Sequence, residues 1–272
     1  MNARTGVLVH SVFMEDGAGL PGLPPGAQPF PSEGFNRVYR VVSGPVRFSG
    51  GDVQRIMDDR DPEPIERARS GRAWFPERQF GLFFDAWVAV PLRMGTAMRY
   101  SDTYRVAGGA DNLEEVLFGF FTNAVATIDS FCFALYAMAS MLQPMNFPAA
   151  TDQERQRING RSTELAFGKF FGATSIAKLL PHIRGSGEYR QLATIRNVLA
   201  HRASPVFYSR ADDEAAGTIW MLRGHLGRDL EYSAESMEGH ALWLDRAVSE
   251  MLVATTDFAE TQWEYRRRRA TR

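Results

Sequence analysis

The sequence predicts a mainly α-helical bundle, with a β-containing segment ahead of it and a β-hairpin set into its second half. Three stretches carry that expectation. From Asp111 to Gln143, residues Leu117, Phe121, Ala124, Ile128, Phe131, Leu135, Met138 and Leu142 alternate steps of four and three, the seam of a helix packed lengthwise on its neighbours. From Ser233 onward, Met237, Leu242, Leu244, Val248, Met251, Leu252 and Phe258 form the apolar set of a second long helix. Between Ser186 and Pro205 there is room for a helix of about four turns: a serine hydroxyl accepts from an orphan N–H at the start, and proline lacks the N–H to continue at the end.

Taken in order, Val7 to Phe13 and Arg37 to Phe48 are β-branched and aromatic runs of strand type, separated by the Gly/Pro loop Gly17 to Gly26. Residues 1–50 therefore form an N-terminal β-containing segment, and 51–272 a helical domain with its core at 111–268. The loop has no Lys-Ser/Thr ending, and its prolines remove backbone donors, so it is a spacer and not a phosphate cradle. Short helices are expected at 52–59 and 64–70, where acidic residues and prolines sit near the starts. A longer one follows Pro76, with Phe80, Phe83, Phe84, Trp87 and Val88 at helical spacing and a bend near Pro91. Those aromatic residues are core and not a base-stacking platform, which needs exposed rings in a basic groove.

Asp111 with Glu114 resembles a capping box and Pro144 stops the helix between them, which is apolar on both faces and so belongs at the centre of the bundle. Thr151 with Glu154 is another capping box. Residues 164–171 read as a short helix or an aromatic turn, and 175–184 as a helix leading into the one before Pro205. Val206 to Tyr208 and Thr218 to Leu222 form the two strands of the hairpin insertion, 206–222. The last helix ends in Arg266 to Arg269, either a solvated helix end that suits the dipole or an RNA-binding patch.

Composition removes several function classes. The formal net charge is −1, so no overall field draws the chain onto nucleic acid or anionic lipid, and any such contact needs a local patch. The single cysteine, Cys132, excludes an intramolecular disulfide and a multi-cysteine zinc site. The N-terminal apolar run is too short for a secretory signal, which points to the cytoplasm. The one membrane candidate, 116–142, carries Asn123, Thr127, Asp129 and Ser130 in mid-span, so a buried bundle helix is the better reading. There is no Gly-x-Ser-x-Gly elbow, no His-Glu-x-x-His zinc helix and no dinucleotide fingerprint. His10, His182, His201, His225 and His240 are scattered, with no metal set indicated.

The helix before Pro205 carries Arg196, Asn197 and His201. Arg-Asn-x-x-x-His near a helix end in a helical sequence resembles the signature of the HEPN superfamily, α-helical bundles whose active members are metal-independent ribonucleases. The resemblance implies a HEPN-like bundle of the toxin or defence type. It also implies a homodimer in which two motifs face each other across a two-fold axis, and chemistry that needs no metal and no cofactor. RNA is then the implied partner, with an antitoxin or regulatory protein besides. Arg196 and His201 would be catalytic, and Asn197 and Arg202 would position the substrate. Arg202 reads equally well as a solvated charge in the last turn.

Helical geometry bears on those roles. Arg196 and His201 lie about 140° apart around a straight helix, whereas Asn197 and His201, at i and i+4, share a face. A joint task for Arg196 and His201 therefore needs a long arginine reaching round, a loosened last turn, or a second copy of the helix. Asp129, within the apolar central helix, is costly unless it is paired or hydrogen-bonded. Arg196 is its expected partner, in a structural ion pair or as the group that Asp129 orients. The alternative function, from another class, is a catalytically silent HEPN-fold module that binds RNA, a nucleotide or a partner protein with the same surface. An unrelated helical interaction protein is a third.

Overall fold

A computed structural model describes residues 32–43, 77–107, 113–201, 206–208, 219–222 and 230–270. In this part the chain is mainly helical. Its elements are α1 (Ser32–Ser43), α2 (Glu77–Ala107), α3 (Leu113–Leu142), α4 (Asp152–Gln156), α5 (Gly160–Phe171), α6 (Ser175–Gly185) and α7 (Gly187–His201). Three short strands follow, β1 (Val206–Tyr208), β2 (Ile219–Leu222) and β3 (Leu230–Tyr232), and then α8 (Ala234–Ala270).

The central helix of the bundle is α3. Phe120, Phe121, Ala124, Ile128, Phe131, Cys132 and Leu135 on it are all fully buried. Among the described residues it is the one helix long and apolar enough to cross a membrane, and 83% of its most apolar window is buried inside the fold. Helix α2 runs antiparallel beside it. Arg93 on α2 bonds to Ala126 of α3, while Tyr100, further along α2, lies against Gly119, earlier on α3. The close approach at Gly119 leaves no room for a side chain, since a β-carbon there would stand 2.4 Å from the Tyr100 ring. Helix α2 continues through Pro91.

The strand expected over Arg37 to Phe48 is helix as far as Ser43, which corrects that reading. Val38, Val41 and Val42 suggest a strand locally, but Phe35, Val38 and Val42 recur at helical spacing and all three are fully buried. Packing decides between the two. The Phe35 ring lies 4.7 Å from that of Trp87 on α2, whose indole N–H donates to the Phe35 carbonyl at 3.2 Å. Gly34 fits α1 against Leu252 of α8, and Arg37 pairs with Glu260 of α8 at 2.6 Å. Val7 to Phe13, the Gly17 to Gly26 loop and the helices expected at 52–59 and 64–70 lie outside the described residues.

The segment after α3 is locally determined. Thr151 accepts from the Glu154 N–H and Glu154 accepts from the Thr151 N–H, closing the expected capping box. Helix α5 starts on a second one, between Asn159 and Ser162. Phe147, Phe167 and Phe171 then gather around Phe258 of α8, with Phe167 and Phe171 at ring separations of 5.3 and 4.9 Å from it. Burying each such ring contributes roughly 1.5–3 kcal/mol, so this aromatic group clamps α5 to the last helix. Beyond α7, β1 pairs antiparallel with β2, and β2 with β3. Val206 stands opposite Met221, and Trp220 opposite Tyr232.

Candidate functional site

Helix α7 begins at Ser186, whose hydroxyl accepts the Tyr189 N–H at 3.1 Å. Arg190 donates to the Gly185 and Ser186 carbonyls, tying the end of α6 to the start of α7. Leu192, Ile195 and Val198 are buried and set the rotation of the helix about its axis. That rotation leaves Arg196 half-buried at the edge of the core and Asn197 exposed. His201 is the last residue of α7. Its side chain, and Arg202 altogether, lie outside the described residues.

Arg196 faces α3, where Asp129 is half-buried. Burial holds the Asp129 carboxyl above the usual carboxylate range, against the opposing pull of Arg196 first, then Arg184 and Arg93. The expected partners are thus neighbours by charge. Among the described residues, however, no hydrogen bond or ion pair within 4.0 Å joins Asp129 to any of the three. Arg196 therefore keeps its donors uncommitted to Asp129.

Behind this pair lies a polar layer that joins four helices. Arg184, in the last turn of α6, pairs with Glu164 of α5 and lies beside the Tyr189 hydroxyl of α7. Its Nε is buried without a hydrogen-bond partner. Gly160 makes room for its stem, and the Thr163 hydroxyl donates to the Cys132 carbonyl of α3 at 3.2 Å. Burial, reinforced by the Asp129 charge, pushes the Cys132 thiol up to about 12, so it has no thiolate character at neutral pH. Tyr189 is likewise pushed up to about 12, first by burial and then by Asp129.

Sequence reasoning brought forward Arg196, Asn197 and Asp129 but not Arg184, Glu164, Tyr189 or Arg93. Glu164 and Arg184 belong to separate helices and share no period, so no pattern in the chain pairs them. Of the other histidines, His182 is exposed, while His240 on α8 is buried edge-on to the Phe121 ring at 5.7 Å. Among the described residues no group of three or more His, Cys, Asp or Glu side chains converges as a metal site would require.

Fold and site together define a helical bundle with an arginine-rich polar centre built around one half-buried carboxylate. No protein-family model, no curated protein and no solved structure matches the chain.

Proposed function

We propose that the chain is a cytoplasmic HEPN-like endoribonuclease of the toxin or defence type, working as a homodimer without metal or cofactor. The observation that carries this reading is the setting of α7. Arg196 lies half-buried beside Asp129 without being locked to it, and the next residue, Asn197, is exposed, which supports this reading for the first two motif residues. The HEPN-like part is the helical bundle with the motif on α7; the hairpin after it has no counterpart in the minimal family fold. Two such surfaces, related by a two-fold axis, would bring a second Arg196 and His201 to one cleft, which removes the difficulty that the two residues stand about 140° apart on a single helix.

In that cleft the reaction is transesterification through the ribose 2′-OH. His201 takes the 2′-OH proton while the 2′ oxygen bonds to phosphorus and the bond from phosphorus to the 5′ oxygen breaks. The leaving 5′ oxygen is protonated in turn by an imidazolium, giving a 2′,3′-cyclic phosphate and a 5′-OH. The Arg196 fork holds the scissile phosphate and offsets the charge that grows on its equatorial oxygens. Asn197 and Arg202 position the phosphate or the imidazole, and Asp129 orients Arg196 from behind.

The second reading, a silent HEPN-fold module that binds RNA, a nucleotide or a partner protein, is favoured by the same Asp129, whose charge offsets part of that on Arg196. One assay separates the two. Purified wild type is incubated with mixed-sequence RNA in excess EDTA, beside Arg196→Ala and His201→Ala, and product ends are mapped. The enzyme reading expects 2′,3′-cyclic ends, reduced by at least roughly 10²-fold in each variant while each stays folded. Equal inertness of all three across many RNAs would select the binding module.

A further inference from the structure

Besides Arg196, a second arginine reaches the same turn of the central helix. Arg93 on α2 is exposed, and its Nη1 donates to the Ala126 carbonyl of α3 at 3.2 Å. Ala126 precedes Asp129 by one turn, so the guanidinium is laid across α3 close to the carboxylate that Arg196 approaches from α7. The bond to Ala126 uses one of the five N–H donors of the fork. Among the described residues the others make no hydrogen bond or ion pair, and the fork is held in place before any ligand arrives.

The surroundings select an anion. Of the three arginines around Asp129, Arg184 is committed to Glu164. That leaves Arg93, exposed, and Arg196, half-buried, against one carboxylate, a local positive excess on a chain whose net charge is −1. Single-stranded nucleic acids are held by such a row of cations along the phosphates, largely without regard to sequence.

We infer that Arg93 is a second phosphate-binding residue, which holds the RNA backbone on the α2 side of α3 while Arg196 holds the scissile phosphate on the α7 side. This rests on the reading of the chain as an RNA-cleaving or RNA-binding protein. It adds a residue that the Arg-Asn-x-x-x-His motif does not contain.

The test is equilibrium binding of a fluorescent mixed-sequence single-stranded RNA to the full chain carrying His201→Ala, so that no cleavage intervenes, at several salt concentrations. Added to that background, Arg93→Gln should weaken binding about 3- to 10-fold for all sequences and flatten the slope of log affinity against log salt by about 0.7. Arg93→Lys should retain most of the slope. Arg99→Gln should change neither quantity, because that exposed arginine on the same helix is turned to Thr96, six residues further along. Thermal melts show that each variant is folded. Tight RNA binding with affinity and slope unchanged in Arg93→Gln overturns the inference and leaves the proposed function standing. Absence of RNA binding by the parent chain overturns both.

Discussion

Gly160 and Arg184 occupy adjoining space: a β-carbon at position 160 would stand 3.0 Å from Nε and 3.2 Å from Cδ of Arg184. The arginine is pinned at its far end by Glu164, so it has little freedom to move aside. Gly160→Ala asks for a shift of a few tenths of an ångström and should change stability by less than about 1 kcal/mol. Gly160→Leu should displace the guanidinium from Glu164 and Tyr189, at a cost of roughly 1–3 kcal/mol in urea unfolding. Equal stability of the two variants would show that Arg184 has another place to go.

Asp129 gives a prediction whose sign runs against the intuition for an ion pair. Its carboxyl is held above the ordinary value of 3.8, burial outweighing Arg196, Arg184 and Arg93. The folded state therefore binds this proton more tightly than the unfolded chain does. The associated stability is fully present below pH 3.8 and is lost as pH rises through the folded value. Ionising this carboxyl in the folded state is therefore a net cost, and Asp129→Asn should gain in stability relative to wild type as pH rises from about 4 to 7. Urea melts at the two pH values decide it. A variant that loses stability relative to wild type over that range would mean that the three arginines outweigh burial.

The buried His240 shapes acid stability in the opposite sense. Burial lowers it from 6.5 to about 4, with Glu188 opposing. The unfolded chain takes up this proton first, so stability falls as pH drops from 6.5 through about 4. The integrated loss is about 3 kcal/mol at 1.36 kcal/mol per unit. His240→Gln should flatten the stability profile over that window, measured by denaturant midpoints. A profile as steep as that of wild type would place the acid sensitivity elsewhere.

Gly34 sets how closely α1 approaches α8. A β-carbon there would stand 2.6 Å from Cδ2 of Leu252, a distance that side chains do not tolerate. Gly34→Ala should cost roughly 1–3 kcal/mol as an overpacked contact. Leu252→Ala should also destabilise, by about 2–5 kcal/mol. The double variant should be less destabilised than the sum of the two, because the second change vacates the space that the first one needs. Strict additivity in a double-mutant cycle would show that α1 does not pack on Leu252 in solution.

Where local signals were strong, expectation and structure agree to within a residue or two. The central helix was bounded at Asp111 and Gln143 by a capping pattern and a proline, and runs from Leu113 to Leu142. The Thr151 and Glu154 box forms as written, and Ser186 caps α7. Where the signal was only composition, it failed. Valines and aromatic residues between Arg37 and Phe48 read as strand, yet form α1 as far as Ser43. The third strand, Leu230–Tyr232, is too short to show any period. Part of the candidate site was legible in the same way: Asp129 was conspicuous as a carboxylate in an apolar helix, and Arg196 through the Arg-Asn-x-x-x-His pattern.

The sequence by itself determined the central helix, the helix before Pro205, the last helix and the places where charge interrupts an apolar run, because capping, periodicity and helix-breaking act over a few residues. Only the tertiary structure decided that α1 is helical, since that depends on the Phe35 and Trp87 contact and on the fit of Gly34 against Leu252. It alone decided which arginines surround Asp129. Arg93, Arg184 and Arg196 come from three helices that flank α3, and their approach to one carboxylate follows from how those helices pack. Packing joins residues remote in the chain, and no local pattern records such a meeting.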